Sequence, residues 1–320
     1  MATPHSPEKS ARIAGRRVVA SISGGKDSAA MSLWLAEQGI EHDRVFLDTG
    51  WEHDLTYEYL RGPLTAKLGP IVELRAPLLM EELIRKKGMF PSRVRRFCTQ
   101  ELKVKPMQRY LSERMDAGDD LINAVGIRAA ESEARSRMRE WEWQDGFDCE
   151  VWRPLLLWSE QQVIDIHKRH GLPPNPLYLM GAQRVGCWPC IHARKSEIRL
   201  IADKDPVRIA RLRVLEQEIE PVAWARWRQS WLALTVDERI NRRASGDGPD
   251  QFNSPAWFQN PMSRADKDGH RDGTCWPIDR VVEWSRTVRG GQEKDQQENL
   301  FAAMNDGCMR WGLCDTGATK

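Results

Sequence analysis

The six residues Ser23-Gly24-Gly25-Lys26-Asp27-Ser28 constrain this chain more than any other feature. They separate the apolar run Val18-Val19-Ala20-Ser21-Ile22 from the helically spaced segment Ala29-Ala30-Met31-Ser32-Leu33-Trp34-Leu35-Ala36. A strand, a glycine turn and a helix start, in that order, build an anion site. Gly24 and Gly25 carry no Cβ, so the backbone can turn sharply and aim successive N–H groups at one point. The helix N-terminus adds partial positive charge and Lys26 a full one, which makes a phosphate or pyrophosphate the natural occupant. The spacing is too short for a Walker-type loop.

Alternation continues past the loop. Arg44-Val45-Phe46-Leu47-Asp48 reads as a short buried strand ending in Asp48-Thr49-Gly50. Helical spacing runs from Thr56 to Leu68, Ile71-Val72-Glu73-Leu74 is the next strand, and Met107–Leu111 belongs to another helix. Leu121–Gly126 follows as a strand. This pattern predicts an α/β fold with a doubly wound parallel sheet, whose ligands bind at the carboxyl ends of the strands. Ser23–Ser28, Asp48–Gly50 and Gly126–Arg128 all fall at such ends. Asp48 and Thr49 are therefore candidates for holding Mg2+ or the ribose and adenine edge of a nucleotide, although Asp-Thr-Gly also serves as a capped turn.

Bulk properties narrow the class. At 320 residues the chain can bury a full core, and its net charge of +2 does not announce a nucleic-acid binder. Met1–Arg17 is polar and basic, and no stretch has the length of a transmembrane helix, so a cytoplasmic protein without membrane contact is expected. Seven cysteines without an export signal favour metal or redox chemistry over a disulfide framework. In Gly186-Cys187-Trp188-Pro189-Cys190 a Cys-x-x-Cys turn offers two thiolates to one ion or cluster. A zinc knuckle and a redox dithiol are the alternatives. Cys98 and a fourth cysteine, Cys314 ahead of Cys308 and Cys275, would complete a [4Fe–4S] set with Cys187 and Cys190, and a three-cysteine cluster with one open iron is the other arrangement; Cys149 reads as an ordinary buried thiol. The basic stretch Arg85, Lys86, Lys87, Arg93, Arg95, Arg96, Lys103 and Lys105 is either solvated or a lid on an anion. Trp224, Trp227 and Trp231 mark one helix face, as core or interface anchors. Asn241–Arg271, rich in Gly, Asp, Asn and Pro, reads as a long loop between subdomains.

Ser-Gly-Gly-Lys-Asp-Ser resembles the PP-loop of the adenine-nucleotide alpha-hydrolase superfamily, whose members bind ATP and react at its α-phosphate. Gly126-Ile127-Arg128-Ala129-Ala130-Glu131-Ser132-Glu133-Ala134-Arg135 resembles the Gly-x-Arg…Glu-Ser…Arg segment of the phosphoadenosine-phosphosulfate (PAPS) reductase family. So do Arg153–Trp158 and Leu172–Tyr178, and Cys98, Lys103 and Pro106 keep the spacing of the adenylyl-sulfate reductases, with Thr99 in place of their second cysteine. The Gly-Cys-Trp-x-Cys turn is also similar to the PP-loop subunit of the DNA phosphorothioation system. The resemblance covers about Arg17 to Leu200 and implies two regions: residues 1–200 as the PP-loop domain and 201–320 as a mainly helical region.

The chain departs from the reductases in two places. It lacks their Glu-Cys-Gly-x-His tail, reading Gly312-Leu313-Cys314-Asp315 instead, and it keeps the full PP-loop. Both departures point away from a reductase and toward an enzyme that itself uses ATP; with Mg2+, the resemblance then implies adenylation of an anionic small molecule or nucleic acid, release of pyrophosphate, and iron–sulfur-assisted transfer of sulfur from a donor protein. Ser23, Gly24, Gly25, Lys26, Asp27, Ser28, Asp48, Thr49 and Gly126 are the expected nucleotide contacts, and Lys26, Asp27, Arg128 and Arg135 the expected catalytic groups. A sulfonucleotide reductase and a non-catalytic nucleotide- or nucleic-acid-binding accessory protein are the rival readings.

Overall fold

A computed structural model describes residues 7–245, 248–249, 252–261, 274–287 and 311. The chain divides into two compact units: residues 1–77, 99–188 and 297–320 form one, and 78–98 with 189–296 form the other. The division thus falls at Trp188, short of the expected position near Leu200, and the segment 78–98 joins the later residues. The reason lies in packing within the second unit, where the helix Met80–Lys87 is clasped to Pro206–Leu232 by the pairs Arg85–Glu218 (2.8 Å) and Arg211–Glu81.

The first unit carries a six-stranded sheet in the order β3-β2-β1-β4-β6-β5. Its strands are β1 (Arg17–Ile22), β2 (His42–Asp48), β3 (Val72–Arg75), β4 (Leu121–Val125), β5 (Trp141–Gln144) and β6 (Cys149–Trp152). All pairs are parallel except the hairpin β5–β6, whose register sets Trp141 opposite Trp152. Both faces of the central strands are covered. Val18, Ala20 and Ile22 pack into one core with Ala29, Met31 and Leu33, while Val19 packs into another with Val45, Met107 and Leu111. Successive strand residues face opposite sides, so two covered faces favour a nearly continuous apolar run.

The helix Lys26–Glu37 is buried nearly all round, from Lys26 through Leu35, which requires partners on more than one side. It lies against the sheet and the helix Glu160–Arg169. The expected helix from Thr56 to Leu68 is three pieces: Asp54–Tyr59, a wider π-type turn over Leu60–Leu64, and Thr65–Leu68. Pro63 sits within that turn; it has no N–H to give to the i→i−4 ladder, so regular pitch fails there.

Strand order reverses beside β1: β2 and β3 lie to one side and β4 to the other. The carboxyl ends of β1 and β4 therefore frame the crevice where ligands of such sheets bind.

The second unit is mainly helical. Besides the two clasped helices it contains Lys195–Lys204, Val236–Ala244, Ile278–Ser285 and a short antiparallel pair, Phe258–Gln259 with Cys275–Trp276. Of the expected long loop Asn241–Arg271, residues 241–244 close a helix, and 246–247, 250–251 and 262–271 lie outside the described residues. No helix among the described residues is long and apolar enough to cross a membrane.

Candidate nucleotide site

β1 delivers Ser23–Ser28 to the switch point. Gly24 adopts a positive φ of +72°, and a Cβ there would stand 2.9 Å from the Thr56 methyl carbon, so a side chain is excluded by both conformation and space. Gly25 then caps the helix Lys26–Glu37 with no side-chain hydrogen bond. Past Lys26, whose N–H goes to Tyr178 (3.1 Å), the N–H groups of Asp27 and Ser28 receive no side-chain cap and point the way an anion is bound at a helix start. The turn is braced from inside: the Ser28 hydroxyl donates to the Gly25 carbonyl (3.0 Å) and accepts from the Ser23 N–H (3.1 Å).

Gly126, at the end of β4, meets this loop backbone to backbone. A Cβ on it would lie 2.8 Å from both the Asp27 carbonyl oxygen and the Ser28 Cα. Just beyond, the buried Arg128 forms an ion pair with Asp27. The Lys26 ammonium reaches Asp27 at 2.9 Å and Glu160 at 3.3 Å, with its side chain only 6% exposed. Burial pushes the Asp27 carboxyl up, but Lys26 and Arg128 together outweigh it and hold the group below its ordinary range. The result is a charge cluster of two cations and a shared carboxylate at a helix N-terminus. Arg135 sits one step farther out: it pairs with Glu131, which accepts the Arg128 N–H at 2.8 Å.

Four residues that spacing did not single out as site residues complete the cradle. The Tyr178 hydroxyl accepts the Lys26 N–H (3.1 Å), and Asn175 donates to the Gly24 carbonyl (3.1 Å). His167 Nε2 lies 2.8 Å from the Lys26 carbonyl, which makes that nitrogen the donor, and Glu160 carries the second carboxylate near Lys26. Burial lowers the His167 pKa, so its ring is neutral. Tyr178 and Asn175 fall in the Leu172–Tyr178 segment that carries the family resemblance, the one signal for them in the sequence.

Asp48 and Thr49 follow β2. Asp48 is buried and accepts from Tyr57 (2.6 Å), the Gly50 N–H (2.8 Å) and Arg75 (2.6 Å). Thr49 donates to Glu52, and Tyr57 also lies 3.0 Å from Glu52. Burial, then Glu52 and Asp48, raise the Tyr57 pKa and keep its phenol protonated. This network carries the Cys187 end of the Cys-x-x-Cys turn: Trp188 donates its N–H to the Trp51 carbonyl (2.8 Å), and Cys187 Sγ lies 3.8 Å from Thr49 Oγ1.

Of the other expected cluster ligands, Cys98 and Cys190 belong to the second unit, where Cys190 accepts the His192 N–H at 3.5 Å. Cys314 and Cys308 lie outside the described residues. Among the described residues no three His, Cys, Asp or Glu side chains gather as a metal site. None of the five described cysteines forms a disulfide with another, and burial pushes the Cys149 thiol up to about 11.

The model of the phosphoadenosine phosphosulfate reductase domain matches residues 17–193, more than half of the chain and all of the site just described. The chain belongs to this PAPS reductase domain family. Its PP-loop membership follows, and the α/β sheet is the one expected. An uncharacterised 37.8 kDa protein of Escherichia phage 186 is 31% identical over 339 aligned residues, which span 90% of this chain and 92% of that one. An adenosine 5′-phosphosulfate reductase of Deinococcus radiodurans is 37% identical over 98 residues, 31% of this chain and 36% of that enzyme. Among solved structures, a PAPS reductase from Candida auris in a phosphate complex is similar over 57% of this chain and 89% of its own, with a TM-score of 0.46 and 21% identity.

Proposed function

We propose that this PAPS reductase family member is an ATP-dependent enzyme that adenylates its substrate. The observation that carries the reading is the complete Ser23–Ser28 loop at the switch point, with Lys26 and Arg128 flanking Asp27. ATP would enter with Mg2+ on its phosphates and place its pyrophosphate on the loop. A substrate oxygen then attacks the α-phosphorus, the bond to the β-phosphate bridging oxygen breaks, and pyrophosphate leaves with the electron pair. The substrate keeps AMP, ready for displacement by a sulfur nucleophile. Lys26 and the first-turn N–H groups act where charge grows on the leaving pyrophosphate, in a fixed arrangement that needs no reorganisation. Arg128, held by Asp27, stands ready for the α-phosphate, and an arriving phosphate competes with Asp27 and Glu160 for the Lys26 charge. Asp48, already accepting three hydrogen bonds, supports the loop after β2.

The test is Lys26→Ala. A hydrogen bond to a charged group contributes about 1.5–3 kcal/mol, so affinity for pyrophosphate should fall about 10- to 100-fold in calorimetric titration. Unchanged affinity in a folded variant would remove the basis of the assignment. The second reading, a sulfonucleotide reductase, is favoured by the family model and by the Deinococcus radiodurans relative. It predicts thiol-dependent sulfite release from PAPS without ATP.

A further inference from the structure

One aromatic ring packed at the nucleotide site comes from outside the family-matched residues 17–193. Trp311 is 2% exposed and falls in the same compact unit as the Ser23–Ser28 loop. It packs with Ile164, Tyr178 and Val185. Its ring stands 5.3 Å from the His167 ring at 82°, and 5.8 Å from the Tyr178 ring at a tilt, centroid to centroid. Aromatic pairs favour such separations, about 4.5–7 Å, with edge-on or offset rings. The indole N–H meets no acceptor among the described residues, so the contact is one of ring shape and apolar burial.

The two rings that Trp311 touches are the two that hold the Lys26 backbone. The Tyr178 hydroxyl accepts the Lys26 N–H (3.1 Å), and His167 Nε2 donates to the Lys26 carbonyl (2.8 Å). His167 shares a helix face with Ile164 on Glu160–Arg169, whereas Tyr178 comes from the short helix Pro176–Leu179. Trp311 touches rings from both helices and so fixes them relative to each other. The fit continues to the loop itself: a Cβ on Gly25 would lie 3.5 Å from the Tyr178 hydroxyl and 3.7 Å from the Val185 carbonyl oxygen. Close-packed interiors transmit displacement. A shift of either ring therefore moves the peptide groups flanking the Lys26 Cα, and with them the first turn of the helix that faces the anion.

We propose that Trp311 is a positioning residue of the nucleotide site: it sets the Lys26 backbone through Tyr178 and His167, and makes anion binding at the loop depend on a residue beyond the family domain. The proposal rests on the reading of the loop as a pyrophosphate site. The dependence is reciprocal. If docked Trp311 raises pyrophosphate affinity, bound pyrophosphate holds Trp311 in place by the same factor.

The experiment titrates the full chain with pyrophosphate, comparing wild type, Trp311→Ala, Trp311→Leu and Trp311→Phe, with the Tm of each measured alongside. Trp311→Ala should weaken binding about 2- to 10-fold, the equivalent of one neutral hydrogen bond; Trp311→Leu carries the test should the alanine variant not fold. Trp311→Phe restores a ring and should bind within about twofold of wild type. Tyr178→Phe and His167→Phe each keep an aromatic ring and remove its hydrogen bond to Lys26. In at least one of these backgrounds the affinity lost on Trp311→Ala should shrink while its effect on Tm persists, a coupling that a merely structural role would not produce. In protein labelled with 5-fluorotryptophan, the fluorine resonance missing from Trp311→Phe should shift when pyrophosphate is added to wild type and stay in place in Lys26→Ala. Unchanged pyrophosphate affinity in folded Trp311→Ala or Trp311→Leu would overturn the proposal. So would affinity losses that simply multiply in both backgrounds, or a fluorine resonance that pyrophosphate leaves unmoved. Wild type that does not bind pyrophosphate would overturn the loop reading, and this proposal with it.

Discussion

Replacing Gly126 by Ala should damage the nucleotide site without touching any of its functional side chains. The new methyl carbon would meet the Asp27 carbonyl oxygen and the Ser28 Cα at 2.8 Å and the Asp27 carbonyl carbon at 2.9 Å. Carbon atoms rest about 3.5–4.0 Å apart, so β4 and the helix start must separate by about 0.7 Å or more. All three obstructing atoms are backbone, and none can swing aside as a flexible side chain would. The parallel ladder that pairs Ser21 with Val125 resists the shift from just below. Overpacking of this kind costs about 1–3 kcal/mol, which at about 2–4 °C per kcal/mol lowers Tm by about 2–12 °C. The same displacement moves the first-turn N–H groups, so pyrophosphate affinity should fall about 10-fold or more, equivalent to one charge-assisted hydrogen bond. Thermal denaturation and pyrophosphate calorimetry on the full chain read the two effects separately. Gly146→Ala is the control, since its Cβ would meet only a Gln108 side-chain atom at 3.8 Å, and its cost should stay within about 0.5 kcal/mol. A Gly126→Ala protein that melts and binds like wild type would refute the close approach on which the site rests.

Tyr178→Phe removes the hydroxyl that accepts the Lys26 N–H; about 1 kcal/mol of stability should be lost, and pyrophosphate affinity should drop with it, as paired melting and titration would reveal. His42 is buried between Ser32 (2.7 Å) and the Ile40 carbonyl (2.9 Å), and burial lowers its pKa to about 4 from an ordinary 6.5. The unfolded chain therefore binds the extra proton between those values, so the His42 contribution is complete above pH 6.5 and is lost as pH falls toward 4. Denaturation midpoints across that window should flatten in His42→Gln; an unaltered pH profile would contradict the assignment. For the cluster expected on Cys98, Cys187, Cys190 and Cys314, anaerobically purified protein should be brown with about four irons per chain, and Cys187→Ser and Cys190→Ser should each lose them. Colourless protein with stoichiometric zinc would identify the other metal.

The sheet was legible where both faces are buried, because Val18–Ile22 and Leu121–Val125 are then apolar save for one polar residue each, Ser21 and Asn123. The hairpin β5–β6 escaped the sequence reading. Glu142 and Trp143 on β5 are exposed, so no continuous apolar run marks that strand. Within the site, the local signal sufficed for Ser23–Ser28, since turn, cation and helix start are consecutive. Arg128 followed from its strand end and its motif. Tyr178, Asn175, His167 and Glu160 are more than 130 residues from the loop they touch, and nothing in local spacing marks a side chain that reaches across a fold. Asp48 shows the opposite effect: a carboxylate at a strand end suggested a ligand contact, yet Arg75 and Tyr57, brought in by neighbouring segments, occupy its oxygens.

The central claim is cleavage of ATP at its α-phosphate, and 31P NMR of the reaction products tests it most directly. Wild-type protein is incubated with ATP and Mg2+ in the presence of sulfate or a single-stranded oligonucleotide, with Lys26→Ala alongside. A parallel sample receives PAPS and a reduced thiol protein. The account predicts resonances of pyrophosphate and of AMP, free or esterified, that require Lys26, and no sulfite in the PAPS sample. ADP with orthophosphate, or sulfite released from PAPS while ATP stays intact, would contradict it.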